Sequence, residues 1–151
     1  MPREHQSLAR DIFRELVEIN TTHPFGSTAA AEAMAARLKG AGFEQVHVLG
    51  PKPAKANLVV RLTGTGKRRP VLFIAHLDVV EARKEDWTLD PFKLTEQQGY
   101  FYGRGTTDIK NEAADSVAFI RLSKFCERDL RHPRKKKVTS AFFFFCAFLR
   151  L

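Results

Sequence analysis

One stretch constrains this chain more than any other: Val71-Leu-Phe-Ile-Ala75 runs straight into His76 and, one residue later, Asp78. Five apolar residues without polar alternation predict a strand covered on both faces, the position of a central strand in an α/β sheet. Residues two apart on an extended strand point the same way. His76 and Asp78 therefore project together from the carboxyl end of that strand, where open α/β sheets hold their ligands. A histidine that binds a metal through one ring nitrogen needs the other nitrogen held, commonly by a carboxylate. His76 as ligand with Asp78 as its clamp is one reading; polar residues simply ending a strand and entering a loop is the other.

The flanking pattern supplies the rest of an α/β layered domain. Leu8, Ile12, Leu16 and Ile19 fall on one helical face, predicting an amphipathic helix over 6–20. The polar stretch from Asn20 to Ser27, with Pro24 and Gly26, reads as a loop. Ser27 or Thr28 is placed to cap a second helix that Gly40 and Gly42 would end. Strands are expected over 45–50 and 56–64, the second joined by a hairpin to 71–75. Residues 81–99 look irregular, with a short extended segment at Tyr100–Gly103 after them. From about Lys110 to Phe125 the pattern is helical again, with Ala113, Val117, Ile120 and Lys124 tracing one row.

The 151 residues suit one domain with its own core. The net charge of +8 suggests an acidic partner until it is located. Residues 121–151 carry nine Lys or Arg against two Asp or Glu, whereas the remaining 120 carry sixteen against fifteen. The basic character belongs to the tail, and a nucleic-acid function for the whole chain loses its main support. Cys126 and Cys146 form no C-x-x-C pair, so neither a disulfide framework nor a structural zinc site follows from them. The first residues lack the apolar core of a secretory signal, and the apolar run 141–149 is far shorter than the roughly 20 residues of a spanning helix. Neither export nor a membrane partner is expected, and the cytoplasm is the default compartment.

A second candidate lies thirty residues on. In Tyr-Gly-Arg-Gly-Thr-Thr-Asp, Gly103 and Gly105 permit a tight backbone path ahead of Asp108, which precedes the helix beginning near Lys110. A carboxylate so placed can bridge two metals roughly 3.5 to 4 Å apart. It can equally serve as a helix N-cap, worth about 1 kcal/mol.

Together, the H-x-D at 76–78, the Trp87-x-x-Asp90-Pro91-Phe92 segment and the Gly103-Arg-Gly-x-x-Asp108 segment closely resemble the metal-binding core of the zinc metallopeptidase family M20. That family includes aminoacylases, dipeptidases, glutamate carboxypeptidases and succinyl-diaminopimelate desuccinylase. The similarity runs from the first helix to about residue 122. It implies a three-layer α/β/α catalytic-domain fragment with a mixed, mainly parallel and incomplete sheet. It further implies that His76 ligates one zinc, that Asp108 bridges two, and that Asp78 is the catalytic carboxylate holding the histidine. Cobalt or manganese would suit similar ligands. The implied activity is hydrolysis of peptide or N-acyl amino acid bonds by a metal-activated water. Trp87, Asp90, Pro91 and Phe92 would shape the intervening loop.

The chain departs from the family pattern in two places. Asn111 stands where many members have glycine. More consequentially, the family continues into a Glu-Glu pair, general base and zinc ligand, whereas here no Glu or Asp follows Asp129. The later ligands, and the lid domain that gives dimers and reads the substrate, have no counterpart in these residues. The expectation is therefore residues 1–122 as the N-terminal part of a metallopeptidase catalytic domain, inactive alone, with 123–151 a divergent basic and then Phe-rich tail. The alternatives are a pseudoenzyme keeping a weak single-metal site, and a non-catalytic module whose basic tail contacts nucleic acid or acidic lipid. The apolar run in that tail can pack as a buried strand or act as an aggregation hazard. Gly64–Lys67 fails the phosphate-loop pattern, and no G-x-S-x-G elbow is present. His23, in its polar loop, is a further candidate neighbour of the site.

Overall fold

The computed structural model describes residues 3–63, 69–129 and 141–145. The basic run 131–137, the Gly-rich turn 64–67 and Cys146 lie outside them.

Helix α1 spans Arg3–Glu18 and buries Ile12, Phe13, Leu16 and Val17; Ile12 and Leu16 lie on the expected face, whose other members Leu8 and Ile19 are partly buried against the core. Helix α2 spans Thr28–Gly40 and buries Ala30, Ala31, Met34, Ala35 and Leu38. Its end is a Schellman turn: Phe43 N–H donates to Leu38 O at 3.1 Å and Gly42 N–H to Lys39 O at 2.8 Å. Gly42 supplies the left-handed φ of +82° that this turn requires, and Phe43 is buried. The start of α2 corrects the capping expectation. Ser27 makes no side-chain cap bond; its hydroxyl donates to Ala56 O at 2.9 Å, and Thr28 Oγ1 donates to Pro53 O at 2.6 Å. Both hydroxyls are spent on tying the helix to the neighbouring hairpin.

That hairpin is β1 (Val46–Lys52) with β2 (Lys55–Leu62), antiparallel. Strand β3 is Val71–Ala75. A 3-10 turn at Lys84–Asp86 precedes a small antiparallel ribbon, β4 (Thr95–Gln97) and β5 (Tyr100–Tyr102). Gln98 and Gly99 both have positive φ, the backbone a two-residue hairpin turn needs. Helix α3 runs from Lys110 to Asp129, and β6 is Ala141–Phe145.

The sheet order is β1-β2-β6-β3. The expected β2–β3 hairpin does not form, because β6 lies between them, antiparallel to β2 and parallel to β3. The mixed sheet is present, but its parallel character is confined to the β6–β3 pair. The Phe-rich run thus supplies a strand of the sheet, and α3 continues without a break past position 123.

Buried Ala56, Leu58, Val60 and Leu62 alternate along β2 with less buried Lys55, Asn57, Val59 and Arg61, so one face of the sheet carries the core. That core joins the helices to the strands in one cluster. The second helical layer of an α/β/α arrangement is not among the described elements. Strand β3 is accordingly not covered on both faces: Val71, Leu72 and Ile74 are about half exposed. An unbroken apolar run reports that a strand's faces suit burial, not which element buries them.

Candidate metal centre

His76 and Asp78 follow the end of β3, and Asp108 lies in the turn that enters α3. The structure brings all three together. His76 Nδ1 lies 2.9 Å from the main-chain oxygen of Asp78 and 3.5 Å from its Oδ1. On the other side of the ring, Nε2 lies 3.1 Å from Asp108 Oδ1. Among the described residues Asp108 makes no capping bond to an α3 amide; its carboxylate turns to the histidine. His23, by contrast, is exposed at the turn after α1.

The main-chain oxygen of Asp78 can only accept, so Nδ1 carries a proton and donates to it. Nε2 then either carries a second proton or presents a lone pair to a carboxylate oxygen. Two lone pairs facing each other at 3.1 Å repel, so the contact requires a positive charge between or on them. Asp78 Oδ1 is also buried without a hydrogen-bond partner. An imidazole and two carboxylates thus meet at one place, donor types that a cation accepts.

Two donors on one tetrahedral zinc, each about 2.0–2.2 Å from it, stand about 3.4 Å apart. The Nε2–Oδ1 separation is close to that chord, so His76 and Asp108 fit two corners of a cation site. A complete shell is not present: no group of three or more His, Cys, Asp or Glu among the described residues is arranged to hold a metal.

The loops that carry these donors are locked from beneath. Gly105 has φ +84°, and a Cβ there would meet Val79 Cγ1 at 2.7 Å and Lys110 Cδ at 3.1 Å. Arg104 stacks its guanidinium over Trp87, 5.1 Å from the ring centroid, and donates to Glu81 O at 3.1 Å. Trp87 thus joins the intervening loop to the Gly-Arg-Gly turn. Lys110 is completely buried, and burial pushes its pKa down to about 8. Sequence reasoning missed Lys110, yet a signal existed. It sits three residues before Ala113 and seven before Val117, on the buried row of α3.

Known proteins resemble the chain in these same regions. Residues 72–142 match the Peptidase family M20/M25/M40. Pig (Sus scrofa) aminoacylase-1 is 35% identical over 126 residues, covering 80% of this chain and 30% of that protein. Among solved structures, human carnosine dipeptidase 1 superposes with a TM-score of 0.71 at 23% identity, over 96% of this chain and 32% of its own. An M20 family metallo-carboxypeptidase from Sulfolobus solfataricus superposes with a TM-score of 0.71 at 14% identity, over 97% and 31% respectively. The chain thus spans about a third of the length of these three proteins. No helix among the described residues is long and apolar enough to cross a membrane. In sequence over residues 72–142, and in fold along most of its length, the chain is similar to members of the peptidase family M20/M25/M40.

Proposed function

We propose that these 151 residues are the part of a metal-dependent amidohydrolase that carries its first metal donors, with His76 and Asp108 as the donors and Asp78 as the group that orients His76. The observation that carries the reading is the 3.1 Å approach of His76 Nε2 to Asp108 Oδ1, with the Asp78 carboxylate on the other side of the ring. Zinc is the expected ion, two in a complete family site, and cobalt or manganese suits the same nitrogen and oxygen donors. When bound, such an ion supplies Lewis acidity, polarising an amide carbonyl and acidifying water. The substrate class is a peptide or N-acyl amino acid, by analogy with the relatives named above.

The chain's own residues do the positioning. Asp78 holds the imidazole through its Nδ1 proton, which leaves Nε2 as the donor. Asp108 offers two carboxylate oxygens at the mouth of the site, where its side chain is 73% exposed. No Glu or Asp follows Asp129, and among the described residues no group of three or more His, Cys, Asp or Glu is arranged to hold a metal. With two donors in place, these residues are expected to hold a metal weakly.

Equilibrium dialysis against cobalt(II) or zinc tests the reading, with the wild-type chain beside His76→Ala and Asp108→Ala. Each substitution is expected to lower affinity at least tenfold. Identical metal content in all three proteins would remove both residues from the role.

A further inference from the structure

Residues 19–21, just beyond α1, contact both donor segments. Thr21 and Leu77 are completely buried, and Thr21 Oγ1 donates to Leu77 O at 2.6 Å. The carbonyl of the same threonine accepts from Val79 N at 3.2 Å. Thr21 therefore grips the chain on both sides of Asp78, holding 77–79 as a second strand would. Two residues earlier, Ile19 O accepts from Lys110 Nζ at 2.8 Å. Lys110 in turn donates its backbone N–H to Gly105 O at 3.0 Å and packs its stem against Gly105, on which Val79 also closes. The His76–Asp78 segment and the Gly105–Lys110 segment thus share one short anchor.

A buried ammonium with a single carbonyl partner among the described residues is costly to keep, and an apolar side chain of similar length would fill the same volume more cheaply. A buried threonine bonding with both its hydroxyl and its carbonyl to one strand end is likewise more specific than packing demands. Both features serve to fix the relative position of two loops. We propose that Thr21 and Lys110 are positioning residues of the metal centre, setting the separation of His76 from Asp108 through the segment 19–21. The inference rests on the reading of His76 and Asp108 as donors, and it is tested with and without metal.

The 151-residue chain is compared with Thr21→Val, which removes only the hydroxyl's bond, Thr21→Ser, which keeps it, and Lys110→Met. In the metal-free proteins, nuclear Overhauser contacts between the His76 ring and the Asp108 β-protons report the separation directly. Cobalt(II) affinity, by competition with a chelator, reports its consequence. Thr21→Val and Lys110→Met are expected to lose most of the contact intensity and about tenfold in affinity, with Thr21→Ser within about twofold of wild type. Folded Thr21→Val and Lys110→Met proteins that retain both wild-type contacts and wild-type affinity would overturn the proposal. If Thr21→Val does not fold, Lys110→Met decides by the same two measures. Contacts that are present in wild type and lost in the variants, in a chain that takes up no cobalt, would sink the metal reading and leave the positioning role standing.

Discussion

His76 Nε2 and Asp108 Oδ1 lie 3.1 Å apart across 32 positions of sequence, and the other ring nitrogen is held by the main chain of Asp78 rather than by its carboxylate. The distinction has a measurable consequence. Asp78→Ala keeps the carbonyl that receives the Nδ1 proton, while Asp108→Ala removes a donor outright. Asp78→Ala is expected to weaken cobalt(II) binding by less than about tenfold, and Asp108→Ala by more than that. Chelator competition on the two variants checks the order, and a larger loss for Asp78→Ala would show that its carboxylate is the group that matters.

Gly105 gives the second prediction. Its φ of +84° disfavours any side chain, and the added methyl of Gly105→Ala would strike Val79 Cγ1 at 2.7 Å. The neighbours cannot yield easily, because Val79 is fixed by Thr21 and Lys110 is buried. The substitution is expected to cost about 2 kcal/mol, read as a lower urea midpoint. The damage should extend to metal affinity, since both donor segments meet at this glycine.

Much of this architecture was legible in the sequence, for reasons that differ by element. The α1 stripe of Ile12, Leu16 and their neighbours was readable because helical periodicity and burial on one face are the same fact. His76 and Asp108 converge because a strand end and a glycine-rich turn each leave few places for the residue that follows. The position of β3 was not readable: the β2–β3 hairpin gave way to β6, whose pairing spans some seventy residues and leaves no local turn signal. Thr21 was hidden in a stretch whose polar composition reads as an exposed loop, although Thr21 and Thr22 are both buried. Ser27 and Thr28 looked like caps because local preference cannot anticipate a hairpin that competes for the same hydroxyls.

Lys110 sets the third prediction. Its pKa falls from 10.5 to about 8 because burial disfavours the charged form. Between those values the unfolded chain binds more protons at this site than the folded one, so stability rises with pH through that window. Below about pH 8 the full desolvation cost is present; near pH 10.5 it has been relieved, and the total difference is about 3 kcal/mol. Urea denaturation at pH 7.5, 8.5 and 9.5 should show this rise in wild type relative to Lys110→Met. Parallel pH profiles for the two proteins would refute the assignment.

The exposed edge of the sheet gives the last prediction. Strand β3 ends the strand order, and Val71, Leu72, Phe73 and Ile74 are 51%, 51%, 36% and 55% exposed. The run carries no charge and no proline within it, two of the devices that protect a sheet edge. Phe73 turns toward α3, where it meets Phe119 with ring centroids 5.8 Å apart. By strand alternation Leu72 and Ile74 therefore point to the opposite face. A lysine at position 72 adds charge beside the edge without entering the core. The wild-type chain is expected to self-associate at concentrations on the order of 100 µM, and Leu72→Lys to shift it toward monomer while changing stability by less than about 0.5 kcal/mol. Sedimentation velocity across a concentration series separates the outcomes, since a wild-type chain that stays monomeric throughout would mean this edge is already protected.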